Sequence, residues 1–130
     1  MAKRLSKALR GKRRWLGVAF DSKIEQRNDA KKAIEDAFGE VREGFEIRLM
    51  DFHASESDQA KISHSFLAAD ENRRLGYGIL QVPHEIYTAV KGLCQNTESL
   101  SEIKIKSITS SGKIRLVRER LCLERPPRRR

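Results

Sequence analysis

The apolar positions of this 130-residue chain change spacing several times, and each change predicts an element. Trp15-Leu16-Gly17-Val18-Ala19-Phe20, closed by Asp21-Ser22, reads as a first strand. Asn28 or Asp29 can cap the helix that follows, because either side chain accepts the free N–H groups of a first turn. Ala30, Ile34, Ala37, Phe38 and Val41 recur at helical spacing, and Phe45, Leu49 and Phe52 prolong the stripe. The pattern predicts a helix reaching to His53. Gly39 and Gly44 each cost it roughly 1 kcal/mol against Ala, and Gly44 is where it would break. Residues 54–61 are polar and read as a loop, and residues 62–69 as a weak second strand.

Asp70-Glu71-Asn72-Arg73-Arg74 reads as a hairpin loop before a third strand at residues 76–82. Pro83 can open a helix without losing a hydrogen bond, and Ile86, Ala89, Val90, Leu93 and Cys94 give that helix its apolar face as far as Asn96. Residues 101–109 alternate as a fourth strand, with Lys104, Lys106 and Ile108 opposite Ile103, Ile105 and Ser107. Ser110-Ser111-Gly112 turns into a last helix with Ile114, Val117 and Leu121 inward, stopped by Pro126-Pro127. Two strand–helix–strand crossovers of this order give an α+β, ferredoxin-like (RRM-like) sandwich. It has a four-stranded antiparallel sheet, two helices on one face and an added C-terminal helix.

Charge sharpens the picture. The formal net charge is +9, and it is gathered at the ends. Residues 1–14 hold seven Lys/Arg and no acid, residues 103–130 hold ten Lys/Arg and two acids, and the middle is net negative. That distribution is an electrostatic footprint for phosphate. Neither end has the bulky apolar face of a helix that lies on a membrane, so nucleic acid is the expected partner and no membrane. No apolar run approaches the ~20 residues of a membrane span, and the Trp15 to Phe20 stretch is too short for a secretory signal. A cytoplasmic protein is expected, with one domain at 13–124 between basic tails at 1–12 and 125–130.

Candidate chemistry is sparse. His53, His64 and His84 lack the spacing of paired metal ligands and suit surface or capping roles. Cys94 and Cys122 make no disulfide framework, and Cys94 sits among apolar helical neighbours, as a core residue would. A small phosphate-transfer enzyme would use Arg27 and Asn28 in the first loop, but the loop has no glycine-rich turn. No catalytic residue and no metal site is assigned. Leu75-Gly76-Tyr77-Gly78-Ile79-Leu80-Gln81-Val82 partly fits the central motif of an RNA recognition motif, whose aromatic rings stack on bases. Only Tyr77 supplies such a ring, and a buried strand is the better reading.

The C-terminal stretch says most. Ser110-Ser111-Gly112-Lys113-Ile114-Arg115 puts hydroxyls and a glycine at a helix start, where they can cap the helix and where free N–H groups suit phosphate. Lys113, Arg115 and Arg118 add full charges, and Lys104 and Lys106 lie on the strand before. Together with Lys12, Arg13 and Arg14 at the entry to the first strand, they form the expected RNA-binding set.

Three of these stretches resemble ribonuclease P protein component 2, an archaeal and eukaryotic family. They are Lys12-Arg13-Arg14-Trp15-Leu16, Gly78-Ile79-Leu80-Gln81-Val82 with the helix after it, and Ile108-Thr109-Ser110-Ser111-Gly112-Lys113-Ile114-Arg115. The likeness spans residues 12–121, with Ser110 where the family often has Val and Lys113 where Thr is common. It implies a ferredoxin-like fold and a TIM-barrel-like partner, ribonuclease P protein component 3. It also implies pairing with a second copy of the chain, and binding to the ribonuclease P RNA. That RNA removes the 5′ leader of precursor tRNA by metal-assisted hydrolysis. The chain would bring no cofactor of its own, Mg2+ belonging with the RNA, and its cations would offset RNA self-repulsion. The competing expectation is an RNA-binding module of another ribonucleoprotein, ribosomal or single-strand-binding, the latter relying on Tyr77.

Overall fold

A computed structural model describes residues 13–40, 44–67, 74–95 and 102–123. Along the chain run β1 (Arg13–Asp21), α1 (Arg27–Phe38), β2 (Arg48–His53), α2 (Asp58–Leu67), β3 (Leu75–Pro83), α3 (His84–Gln95), β4 (Ile105–Ser111) and α4 (Ile114–Arg120). The strands form one sheet in the order β2-β3-β1-β4, and every neighbouring pair is antiparallel. Helix α1 carries the chain from β1 across β3 to β2, and α3 carries it from β3 across β1 to β4. This is the α+β, ferredoxin-like arrangement expected from the sequence. The tails at 1–12 and 125–130 and the loop at 70–73 lie outside the described residues.

Two elements correct the sequence reading. Residues 48–53 are the edge strand β2, not the end of a long helix. The β2–β3 register shifts between Leu49 and Asp51. A bulge of this kind breaks strand alternation, so Leu49 and Phe52 serve one core while Met50 packs into the other. The resulting spacing imitates a helix. Residues 58–67, read as loop and weak strand, are α2. Its buried face is made by the small Ala60 and Ser63, while Ile62 and Phe66 point outward, Phe66 being 73% exposed. The helix therefore lacks an inward apolar stripe. Helix α1 also starts earlier than expected: Asp29 is already in its first turn and accepts a hydrogen bond from the Gln26 N–H at 3.2 Å.

The sheet is buried on both faces. Leu16, Val18 and Phe20 of β1 and Leu80 and Val82 of β3 pack against Ile34 and Phe38 of α1 and Ile86, Val90 and Cys94 of α3. On the other face, Ala19 and Tyr77 meet Ala60 of α2, and Ile79 meets Val117 of α4 with Leu121 and Leu123 just beyond that helix. Strands covered on both sides read as continuous apolar runs, which is the Trp15 to Phe20 pattern. Gly17 lets α4 approach: a Cβ there would lie 2.9 Å from Val117 Cγ1 and 3.0 Å from Leu121 Cδ1. Gly78 faces the Phe20 ring and leaves room for the Asp51 carbonyl of β2.

Candidate nucleic-acid interface

The face of the sheet that an RNA recognition motif uses is closed here. Tyr77 lies beneath α2 with no exposed surface, and its hydroxyl sits 3.0 Å from Nδ1 of His64. No base can stack on that ring in the folded chain.

The expected cationic set divides between two places. In the β1–β4 register Trp15 lies opposite Ser111 and Leu16 opposite Ser110. The entry to β1 and the exit of β4 therefore meet at one end of the sheet, bringing Arg13 and Arg14 to Ser110, Ser111, Gly112 and Lys113. Strand alternation splits the two arginines. Arg13 shares the side of Trp15, which packs with α4, and Arg14 shares the side of Leu16, beneath α3. Lys104 and Lys106 lie towards the other end of β4: Lys106 is opposite Ala19, and the Lys104 carbonyl accepts from the Asp21 N–H at 3.0 Å. At about 3.3 Å per residue, Lys106 is roughly 16 Å from Ser111 along the strand. Lys12 lies outside the described residues.

Arg118 is engaged by a carboxylate of the edge strand. Its guanidinium holds Asp51 of β2 through Nε to Oδ2 at 2.9 Å and NH2 to Oδ1 at 3.3 Å. Ser110 and Ser111 do not cap α4. The Ser110 hydroxyl accepts from the Tyr87 hydroxyl at 2.6 Å, and the Ser111 hydroxyl accepts from the Lys113 N–H at 3.1 Å. Lys113 is the residue at the cap position, and α4 is only seven residues long, so the charge here comes from side chains.

Tyr87, Lys91 and Arg120 complete the site and were not singled out from the sequence. Tyr87 and Lys91 are one turn apart on α3, a spacing that brings side chains together. The Arg14 guanidinium sits 5.1 Å from the Tyr87 ring centroid and the Lys91 ammonium 5.7 Å from it. Burial opposes ionisation of Tyr87. The Ser110 hydrogen bond and the Lys91 and Arg14 cations outweigh it and hold the phenol below its ordinary range. Arg120 reaches the Ser110 carbonyl at 2.9 Å and Thr109 Oγ1 at 3.2 Å. A register with no sequence signal brings Arg14 to Ser110, so only the Tyr87–Lys91 spacing was there to be read.

The other candidates resolve into structure. Arg27 donates to the carbonyls of Leu49 and Met50, which fastens the start of α1 to the edge strand. Cys94 is fully buried, and burial pushes its thiol up to about 12. His53 closes β2, and its burial lowers its basicity against the opposing pull of Asp51. Among the described residues, no helix is long and apolar enough to cross a membrane. The chain matches no protein-family model, no curated protein and no solved structure.

Proposed function

We propose that the chain is an RNA-binding protein subunit of ribonuclease P, supporting RNA-catalysed removal of the 5′ leader from precursor tRNA. The observation that carries this reading is the gathering of cations at the β1–β4 end of the sheet. Arg74 is matched by Glu56 and Arg118 by Asp51. Among the described residues, Arg13, Arg14, Lys91, Lys113, Arg115 and Arg120, around the β1–β4 end, have no carboxylate at salt-bridge distance. Unneutralised cations repel one another, and a polyanion relieves that repulsion while releasing its own counterions. The resemblance of residues 12–16, 78–82 and 108–115 to component 2 supplies the identity of the RNA.

In this reading the chain contributes charge and shape, and the RNA performs the hydrolysis. Mg2+ belongs with the RNA in this reading, as the resemblance to component 2 implies. Ribonuclease P protein component 3, precursor tRNA and a second copy of the chain are the partners that go with it, as does a cytoplasmic location. The buried Tyr77 weighs against a single-strand binder that stacks bases on its sheet. Purifying the tagged chain from its own cells and sequencing the RNA that accompanies it tests the reading. Ribonuclease P RNA with precursor tRNA is expected. Ribosomal RNA, or no discrete RNA, would overturn it.

A further inference from the structure

We propose that Arg14, Tyr87, Lys91 and Ser110 form a discrete site for one phosphate group on the α3 side of the β1–β4 end. The inference deepens the RNA-binding reading and rests on it only for the source of the phosphate, which is either a backbone phosphodiester of RNA or a free phosphate.

Three elements hold the four side chains in place. Arg14 is fixed by β1, where it pairs with Val82 of β3. Tyr87 and Lys91 stand on α3, and Ser110 on β4. The Tyr87 hydroxyl and Ser110 Oγ are hydrogen-bonded at 2.6 Å, which holds the α3 and β4 side chains together. Both cations lie against the one ring, and neither has a carboxylate partner among the described residues. The Arg14 Nε is buried with no hydrogen-bond partner among the described residues. A guanidinium presents paired N–H groups that match two oxygens of a phosphate, and an ammonium adds a point charge. Gly112 adjoins the site, with its Cβ position 3.8 Å from an Arg14 terminal nitrogen.

The test is an NMR titration of the full chain with inorganic phosphate, against sodium chloride at equal ionic strength. The Tyr87 ring and the Ser110 amide are followed. Saturable shifts with phosphate and none with chloride are expected. Lys91→Gln should weaken binding about tenfold, the usual worth of one charge-assisted hydrogen bond. Tyr87→Phe, which keeps the ring and removes the donor, should weaken it as well. Lys32→Gln, an equal loss of charge at an exposed position on α1, should leave it unchanged. Shifts that never saturate, or equal effects of Lys91→Gln and Lys32→Gln, would reduce the site to diffuse charge and overturn the proposal. Ribonuclease P RNA binding by the same variants identifies the source. Weaker RNA binding by Lys91→Gln assigns the site to the RNA backbone, and unchanged RNA binding beside saturable phosphate assigns it to a free phosphate. RNA binding without saturable phosphate would sink the site and leave the RNA reading standing.

Discussion

Arg118 of α4 and Asp51 of β2 are joined by two hydrogen bonds, with side chains only 21% and 16% exposed. The pair ties the last helix to the edge strand. Asp51→Ala leaves the half-buried guanidinium unpaired and should cost about 1–3 kcal/mol, below the range for fully buried pairs because water still screens this one. Thermal unfolding should shift down by several degrees. Arg115→Ala, on the exposed side of the same helix, should leave the melting temperature alone and weaken RNA binding. Equal effects of the two on stability would show that the ion pair does not anchor α4.

Tyr77 gives a second expectation. Tyr77→Leu removes the hydroxyl facing His64 and reshapes the packing under α2, at a cost of about 1–3 kcal/mol in urea unfolding. RNA affinity per folded molecule should not change. A drop worth about 1–3 kcal/mol in affinity, the value of one stacked base, would mean that the ring becomes accessible.

Two glycines differ in what surrounds them. A Cβ at Gly17 meets side-chain methyls of Val117, Leu121 and Thr109 at 2.9–3.0 Å, which can shift. A Cβ at Gly78 would press into the Asp51 backbone carbonyl, which cannot shift without moving β2. Gly17→Ala should cost about 1–3 kcal/mol and Gly78→Ala more. Denaturation midpoints in the reverse order would contradict this packing.

Much of the fold was legible because most elements obey their period. The Trp15 to Phe20 run, the Ile86–Val90–Cys94 face and the Val117–Leu121 pair all lie inward as read, although Ala89 and Leu93 turn out exposed. The failures have local causes. A bulge at Leu49–Asp51 turned a strand pattern into a helical one, and α2 buries Ala60 and Ser63 where large apolar residues are the usual signal. One available signal was missed: an unbroken apolar β1 demands cover on both faces, which α4 alone does not supply.

For the candidate site, the sequence singled out Arg13, Arg14 and residues 110–113 on separate segments, and only the β1–β4 register joins them. Lys104 and Lys106 lie towards the other end of β4, and Arg118 is paired with a carboxylate distant in sequence. Neither outcome is encoded locally.

Cys94 makes the folded state sensitive to alkali. Its thiol is raised from 9.0 to about 12 by burial, so the folded chain keeps a proton that the unfolded chain loses. The contribution is fully present below about pH 9 and is lost as pH rises towards 12, because the unfolded state alone gains from ionising. Stability should fall between about pH 8 and about pH 10 by more in the native chain than in Cys94→Ala. A thiol reagent should also label the half-buried Cys122 before Cys94. Labelling of Cys94 first would contradict its burial.

The most direct measurement is the salt dependence of binding to ribonuclease P RNA, comparing the native chain with one carrying Arg13→Gln, Lys113→Gln and Arg115→Gln. All three positions are exposed and unpaired among the described residues, so the melting temperature should hold. The slope of log affinity against log salt should flatten by about two to three, close to one for each phosphate that the variant no longer neutralises. An unchanged slope with the protein still folded would contradict the claim that this end of the sheet meets RNA.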